Sequence, residues 1–142
     1  MAERTLVIIK PDAMEKKIAG EILKRFEVKG YQIAAIDRVK LTRRQAEEFY
    51  AVHRSQPFYA RLVEYMISGP CLPMVLEGSG VIQGVRELIG DTDPATAREG
   101  TIRREFATNV TVNCVHASDG PLSAEKEIAF FFDKRSMVGE SH

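Results

Sequence analysis

The chain has 142 residues, 44% apolar and 28% charged, and its twenty Lys+Arg are balanced by twenty Asp+Glu. That length reads as one domain, 1–142, with a real hydrophobic core. The zero formal charge excludes a global attraction to nucleic acid or to a membrane surface, so a polyanionic ligand must be small and held by local basic side chains. Cys71 and Cys114 have apolar neighbours and no metal-ligand spacing, which predicts buried, reduced thiols rather than a disulfide scaffold. The early apolar run, Leu6 to Ile9, is too short for a signal peptide or a membrane span, and a cytoplasmic location is expected.

In chain order, 5–9 is a β-branched apolar run stopped by Lys10-Pro11-Asp12, which predicts a buried strand ending in a turn. Ile18, Ile22, Leu23 and Phe26 recur at helical spacing through 18–28, and Gly30 stops that helix. Residues 31–41 alternate loosely as a second strand. Thr42 with Gln45 makes a capping box for a helix running to Val52. Pro57 opens a further helix with Leu62, Val63 and Met66 on its apolar face, ended by Gly69-Pro70. A third strand is expected over 71–77 and a helix over 81–89, closed by Gly90. Beyond it, 91–119 is polar and irregular apart from one turn at 101–106. Ser123 is expected to cap a short helix near Glu127, 128–132 reads as the last strand, and 133–142 reads as a loose tail.

This order of elements is that of an α+β, ferredoxin-like split βαβ fold: a four-stranded antiparallel sheet with helices packed on one face. Structureless loops longer than about 12–15 residues are uncommon in compact domains and are often functional, which directs attention to 91–119. That stretch holds Thr92, Arg103, Arg104, Asn113, His116, Ser118 and Asp119, just after Arg86. Guanidinium forks beside a threonine hydroxyl suit a phosphate clamp, although Arg103 and Arg104 read equally well as a solvated charge pair. His116 alone could be a buried structural residue or a catalyst. The chain lacks a Gly-x-x-x-x-Gly-Lys-Ser/Thr loop, a Gly-x-Gly-x-x-Gly after a strand, a His-Arg-Asp catalytic loop and His-Glu-x-x-His metal spacing. Phosphate chemistry here would have to rely on arginines, a lysine and a histidine.

Asn113-Cys114-Val115-His116-Ala117-Ser118-Asp119 resembles the Asn-x-x-His-Gly-Ser-Asp signature of nucleoside diphosphate kinases. Glu3-Arg4-Thr5-Leu6, Ile9-Lys10-Pro11-Asp12-Ala13, Pro57-Phe58, Ser68-Gly69-Pro70, Leu76-Glu77-Gly78, Gly100-Thr101-Ile102-Arg103 and Ser123-Ala124-Glu125-Lys126-Glu127-Ile128 follow in that family's order and spacing. The resemblance covers about 3–132. It implies transfer of the γ-phosphoryl of ATP or another triphosphate to GDP and other diphosphates, in ping-pong fashion, through a phosphohistidine at His116. It also implies that Glu127, directly or through Ser118, holds the other ring nitrogen. Arg86, Thr92 and Arg103 would take the phosphates. Lys10 and Asn113 would take the ribose hydroxyls, with Lys10 also near the γ-phosphate and steadied by Tyr50. Phe58 and Val110 would hold the base. Mg²⁺ would be carried mainly by nucleotide phosphates rather than by protein ligands, and the chain would form a tetramer or hexamer, with neither nucleic acid nor membrane as partner.

Five positions depart from the family pattern, one of them Leu76, where an aromatic residue is frequent. Ala117 replaces the usual glycine, at a cost of about 1 kcal/mol if that position needs φ > 0. Gly120 replaces a usual serine, Val112 a frequent arginine, and Arg104 a small residue, adding positive charge at the rim. Decayed catalysis on a nucleotide-binding scaffold is therefore the competing reading, and the joint presence of Lys10, Tyr50, Arg86, Thr92, Arg103, Asn113, His116 and Glu127 argues against it.

Overall fold

Leu6, Val7, Ile8 and Ile9 are consecutive and all fully buried. Successive strand side chains point to opposite faces, so an unbroken apolar run needs both faces of the sheet covered. The computed structural model, which describes residues 3–132, shows that arrangement. The strands are β1 (Glu3–Ile9), β2 (Gln32–Ile36), β3 (Leu72–Gly78) and β4 (Val115–Ala117), and the helices are α1 (Pro11–Glu15), α2 (Ala19–Val28), α3 (Arg43–Phe49), α4 (Tyr59–Met66), α5 (Val81–Ile89), α6 (Ile102–Phe106) and α7 (Pro121–Phe131). A short 3₁₀ turn, Ala51–His53, follows α3.

The sheet has the order β2-β3-β1-β4 with every pairing antiparallel, the ferredoxin-like topology. β1 and β3 pair over seven residues, with Leu6 opposite Val75 and Val7 opposite Met74. On one face Val7, Ile9, Met74, Leu76 and Val115 pack with α2 and α5; on the other Leu6, Ile8 and Val75 pack with α3 and α4. Helices thus cover both faces, correcting the one-sided arrangement expected from element order. Gly84 on α5 shows how closely one layer fits, since a Cβ there would lie 1.8 Å from the Tyr31 hydroxyl.

The fourth strand is also corrected. Residues 128–132 do not form it: Ile128 to Phe131 belong to α7, and Phe132 ends that helix in extended backbone. Their run of apolar and aromatic residues mimics a strand, yet Ile128 and Phe132, four apart, share one helical side and pack on the α3/α4 cluster. The true fourth strand is β4, inside the stretch read as irregular, and it pairs with Val7, Ile8 and Ile9. The second strand is shorter than 31–41, with a bulge between Ile33 and Ala35 that explains its loose alternation. Only an isolated bridge from Val39 to Cys71 extends it. α7 starts at Pro121, before Ser123. The expected loose tail lies outside the described residues. Among them, no helix is long and apolar enough to cross a membrane, and both cysteines are buried free thiols.

Candidate active site

His116 is the middle residue of β4, opposite Ile8 of β1. Its Nε2 lies 2.8 Å from Glu127 Oε1, and Ser118 Oγ donates to that same oxygen at 2.8 Å. Ser118 is fully buried and tied to β1, its N–H donating to the Leu6 carbonyl and its Oγ accepting from the Leu6 N–H. Glu127 comes from α7, whose start is fixed by Pro121 and by Ser123 Oγ, which accepts the N–H groups of Asp119 and Gly120. A carboxylate oxygen that accepts from both sides places the imidazole proton on Nε2. Nδ1 then keeps its lone pair, and it has no hydrogen-bond partner among the described residues. The ring is held edge-on by Phe49 at 5.3 Å and by Tyr50 at 6.2 Å between centroids. Both sit at the end of α3, which the capping box starts: Thr42 Oγ1 accepts the Gln45 N–H and Gln45 Oε1 accepts the Thr42 N–H.

A second group, cationic, is tied to the same strands. Lys10 follows β1, its N–H donating to the Cys114 carbonyl at 2.8 Å, and its buried Nζ donates to Asn113 Oδ1 at 2.8 Å. Asn113 Nδ2 in turn donates to the carbonyls of Val110 and Thr92. Burial, then the nearby Arg103, brings the Lys10 amine down to about 7. Arg103 donates to the carbonyls of Gly90 at 3.1 Å and Val115 at 2.7 Å. Burial, then Arg86, lowers its guanidinium to about 10, so it is still charged at neutral pH. Gly90 can present that carbonyl because it turns sharply at φ 90°, where a Cβ would also meet the Thr101 side chain at 2.6 Å. Two buried donors, Tyr50 Oη and Arg103 Nε, have no protein partner among the described residues, and burial pushes the Tyr50 phenol well up.

Arg86, Thr92 and Arg103 line a cavity of about 610 Å³, and Ala117, next to His116, forms part of its wall. Phe58 and Val110 stand at the surface, 37% and 50% exposed, and Phe58 lies against the His53 ring. Asn113 leads through a tight turn at Cys114, where φ is 76° and the Val115 N–H donates to the Asn113 carbonyl at 2.9 Å. That turn delivers β4, and with it His116, into register.

Three of the departures, Ala117, Gly120 and Arg104, fit this backbone without strain. Ala117 lies in β4 opposite Val7 and has no positive φ, so it carries no strain. Gly120 is extended, with open space where a side chain would stand. Arg104 donates to the carbonyls of Ala95 and Ala97, pinning the loop. Of the residues expected to form the site, His116, Ser118, Glu127 and Tyr50 form one knot and Lys10, Asn113 and Arg103 a second, while Arg86 and Thr92 wall the cavity. Val110 meets the second knot only through its carbonyl, which accepts from Asn113, and Phe58 lies apart against His53. The sequence reading missed Phe49, which lies against the imidazole; its place beside Tyr50 at the end of a capped helix was the available signal. Among the described residues no three His, Cys, Asp or Glu side chains converge as a metal site.

Known proteins of this kind are readily found. The nucleoside diphosphate kinase family profile matches residues 3–137. A nucleoside diphosphate kinase of Desulfatibacillum aliphaticivorans is 53% identical over 137 residues, spanning 96% of this chain and 99% of that protein. One from Helicobacter pylori is 49% identical, spanning 96% of this chain and 100% of its own. The crystal structure of the Aquifex aeolicus nucleoside diphosphate kinase superposes with a TM-score of 0.94 at 49% identity, covering 97% of this chain and 100% of that one. The Halobacterium salinarum nucleoside diphosphate kinase in complex with CDP superposes with a TM-score of 0.95 at 36% identity, covering 100% and 95%.

Proposed function

The chain belongs to the nucleoside diphosphate kinase family and is a nucleoside-diphosphate phosphotransferase; from that premise we propose that His116 carries the transferred group and that one site serves donor and acceptor in turn. The observation that supports this most directly is the 2.8 Å contact of Nε2 with Glu127, which leaves the Nδ1 lone pair free to react.

In the first half-reaction Nδ1 attacks the γ-phosphorus of a triphosphate; the N–P bond forms, the bond from phosphorus to the bridging oxygen breaks, and the diphosphate leaves. Glu127 offsets the positive charge that grows on the imidazole. The transition state is loose, with charge on the equatorial oxygens, so positioning and cations account for most of the catalysis. Arg86, Thr92 and Arg103 are assigned to the phosphates, and Arg103 Nε and Tyr50 Oη are buried donors that phosphate oxygens would satisfy. Lys10 and Asn113 are assigned to the ribose hydroxyls, with Lys10 also reaching the γ-phosphate. Phe58 and Val110 would flank the base, and stacking without edge contacts accepts any base. In the second half-reaction a diphosphate oxygen takes the phosphoryl group and the imidazole is restored.

Mg²⁺ would arrive with the nucleotide, carried mainly by its phosphates rather than by protein ligands, and would supply charge neutralisation there beside Arg86 and Arg103. The whole chain is read as one catalytic domain, a reading supported by a family match over 3–137. We read it further as a cytoplasmic homo-oligomer of four or six subunits; light scattering that reports a monomer at micromolar concentration would end that part.

The test is incubation with γ-labelled ATP. Label should appear on His116, resist alkali and be lost in acid, and initial rates should follow ping-pong kinetics. His116→Ala should lose labelling and exchange below detection while still binding nucleotide. Converging kinetic plots, or full labelling of His116→Ala, refute the mechanism.

A further inference from the structure

One acidic side chain beside Lys10 has no part in the mechanism above. Asp12, on α1 two residues after Lys10, accepts a hydrogen bond from the Tyr65 hydroxyl of α4 through Oδ1, and its backbone N–H donates to the same hydroxyl at 3.3 Å. Its Oδ2 is buried without a hydrogen-bond partner among the described residues. The Lys10 ammonium lies 6.0 Å from the centroid of that Tyr65 ring. Tyr65 thus joins the two, its hydroxyl on the carboxylate and its ring near the ammonium.

We infer that Asp12, tethered by Tyr65, is a positioning residue for Lys10: it supplies the counter-charge that keeps the buried amine protonated and aimed before a nucleotide arrives. The inference rests on the reading that Lys10 acts on the γ-phosphate. Among the described residues, the groups that act most on Lys10 are few. Arg103 of α6 opposes its charge and Asn113 accepts from it as a neutral partner. The Cys114 thiol, pushed up to about 12 by burial first and by Asp12 second, is a neutral neighbour. Tyr65 presents its ring, and Asp12 is the carboxylate among them. Burial and Arg103 both favour loss of the Lys10 proton, and Asp12 leads the groups that favour keeping it. A carboxylate left free to rotate would swing toward water. The Tyr65 hydroxyl, fixed on α4, anchors it instead. Lys10 and Asp12 make no direct ion pair: the carboxylate acts on the ammonium through space, with the Cys114 thiol beside it.

The deciding measurement is the titration of the Lys10 side chain by NMR in the full-length, nucleotide-free protein carrying labelled lysine. Asp12→Asn still offers an oxygen to Tyr65, so it preserves the fold while removing the charge. It should lower the Lys10 midpoint by about one pH unit, the lower end for loss of a close opposite charge, and Asp12→Glu should restore most of that shift. Each unit of midpoint is about tenfold in the charged fraction above it. The Asp12→Asn protein should therefore lose about tenfold in kcat/KM at pH 8 and far less at pH 6, a pH-dependent loss that mere loosening would not give. An unmoved midpoint, or a loss equal at both pH values, overturns the inference. Lys10→Met with undiminished transfer would instead overturn the reading of Lys10 on which the inference rests, a failure that the NMR midpoint separates from the first.

Discussion

The two central strands and the segment 91–119 keep their shape by different means. β1 and β3 are held by apolar packing on both faces, with Leu6 to Ile9 wholly buried and a seven-residue ladder between them. The segment contains only the five-residue α6 and the three-residue β4. Basic side chains bonded to backbone carbonyls hold it together: Arg103 to Gly90 and Val115, Arg104 to Ala95 and Ala97, Arg25 to Gly100, and Lys16 to Phe106. The choice of partner matters. A carboxylate would have neutralised the guanidinium of Arg103, whereas a carbonyl fixes its direction and leaves its full positive charge for an incoming phosphate. One region is built for stability, and the other fixes charge in place.

If that division is right, variants in the two regions should fail in different ways. Leu6→Ala, at the centre of the sheet, should have the largest effect on the fold, about 2–5 kcal/mol of lost stability from a buried leucine. Denaturant unfolding should report that loss while kcat of the folded fraction stays near that of the parent. Arg103→Met should do the reverse. Losing one preorganised donor to a transition-state oxygen costs about 2.7–4 kcal/mol, roughly 10²–10³-fold in rate. Its loss of stability should be smaller than that of Leu6→Ala, and equal losses in the two variants would break the comparison. The smallest effect is expected for Gly120→Ser at the start of α7. The extended backbone and the open space accept a side chain, and serine is a better N-cap than glycine by a few tenths of a kcal/mol. A slightly higher Tm with unchanged transfer is the expected result, and a drop in transfer would show that Glu127 depends on the glycine.

The sheet region was largely legible in the sequence and the segment only in part. Leu6 to Ile9, the Thr42 box and the close of α5 at Gly90 are local signals: an unbroken apolar run, a reciprocal side-chain pair and a helix stop. β4 was missed because a strand of three residues has too few positions for alternation to register. It exists because Ile8 and Ile9 offer a free edge and the Cys114 turn places Val115 against it. The aromatic run at the end of α7 was misassigned because strand-like composition outweighed helical spacing when the tertiary partners of Ile128 and Phe132 were unknown. The site residues came from resemblance to a family rather than from spacing, which left His116 and the two arginines ambiguous. Phe49, Asp12 and Tyr65 show the limit most clearly. Each makes its contact with a distant part of the chain, and only Phe49, beside Tyr50, has a neighbour in the sequence that hints at it.

The brevity of β4 also bears on how such a chain can change length over generations. His116 faces Glu127 because it stands opposite Ile8, and Val115 and Ala117 point the other way, toward α2 and α5. One residue added between Asn113 and His116 would turn the imidazole into that apolar layer and abolish the site at a stroke. One residue added at the exposed pair Ala95 and Thr96 would disturb the Arg104 bonds to that loop but shift no strand register, and lengthening a loop is cheap, even a doubling costing about 0.6 kcal/mol. A change of length is thus far less damaging before α6 than after it, and a three-residue ladder draws the boundary.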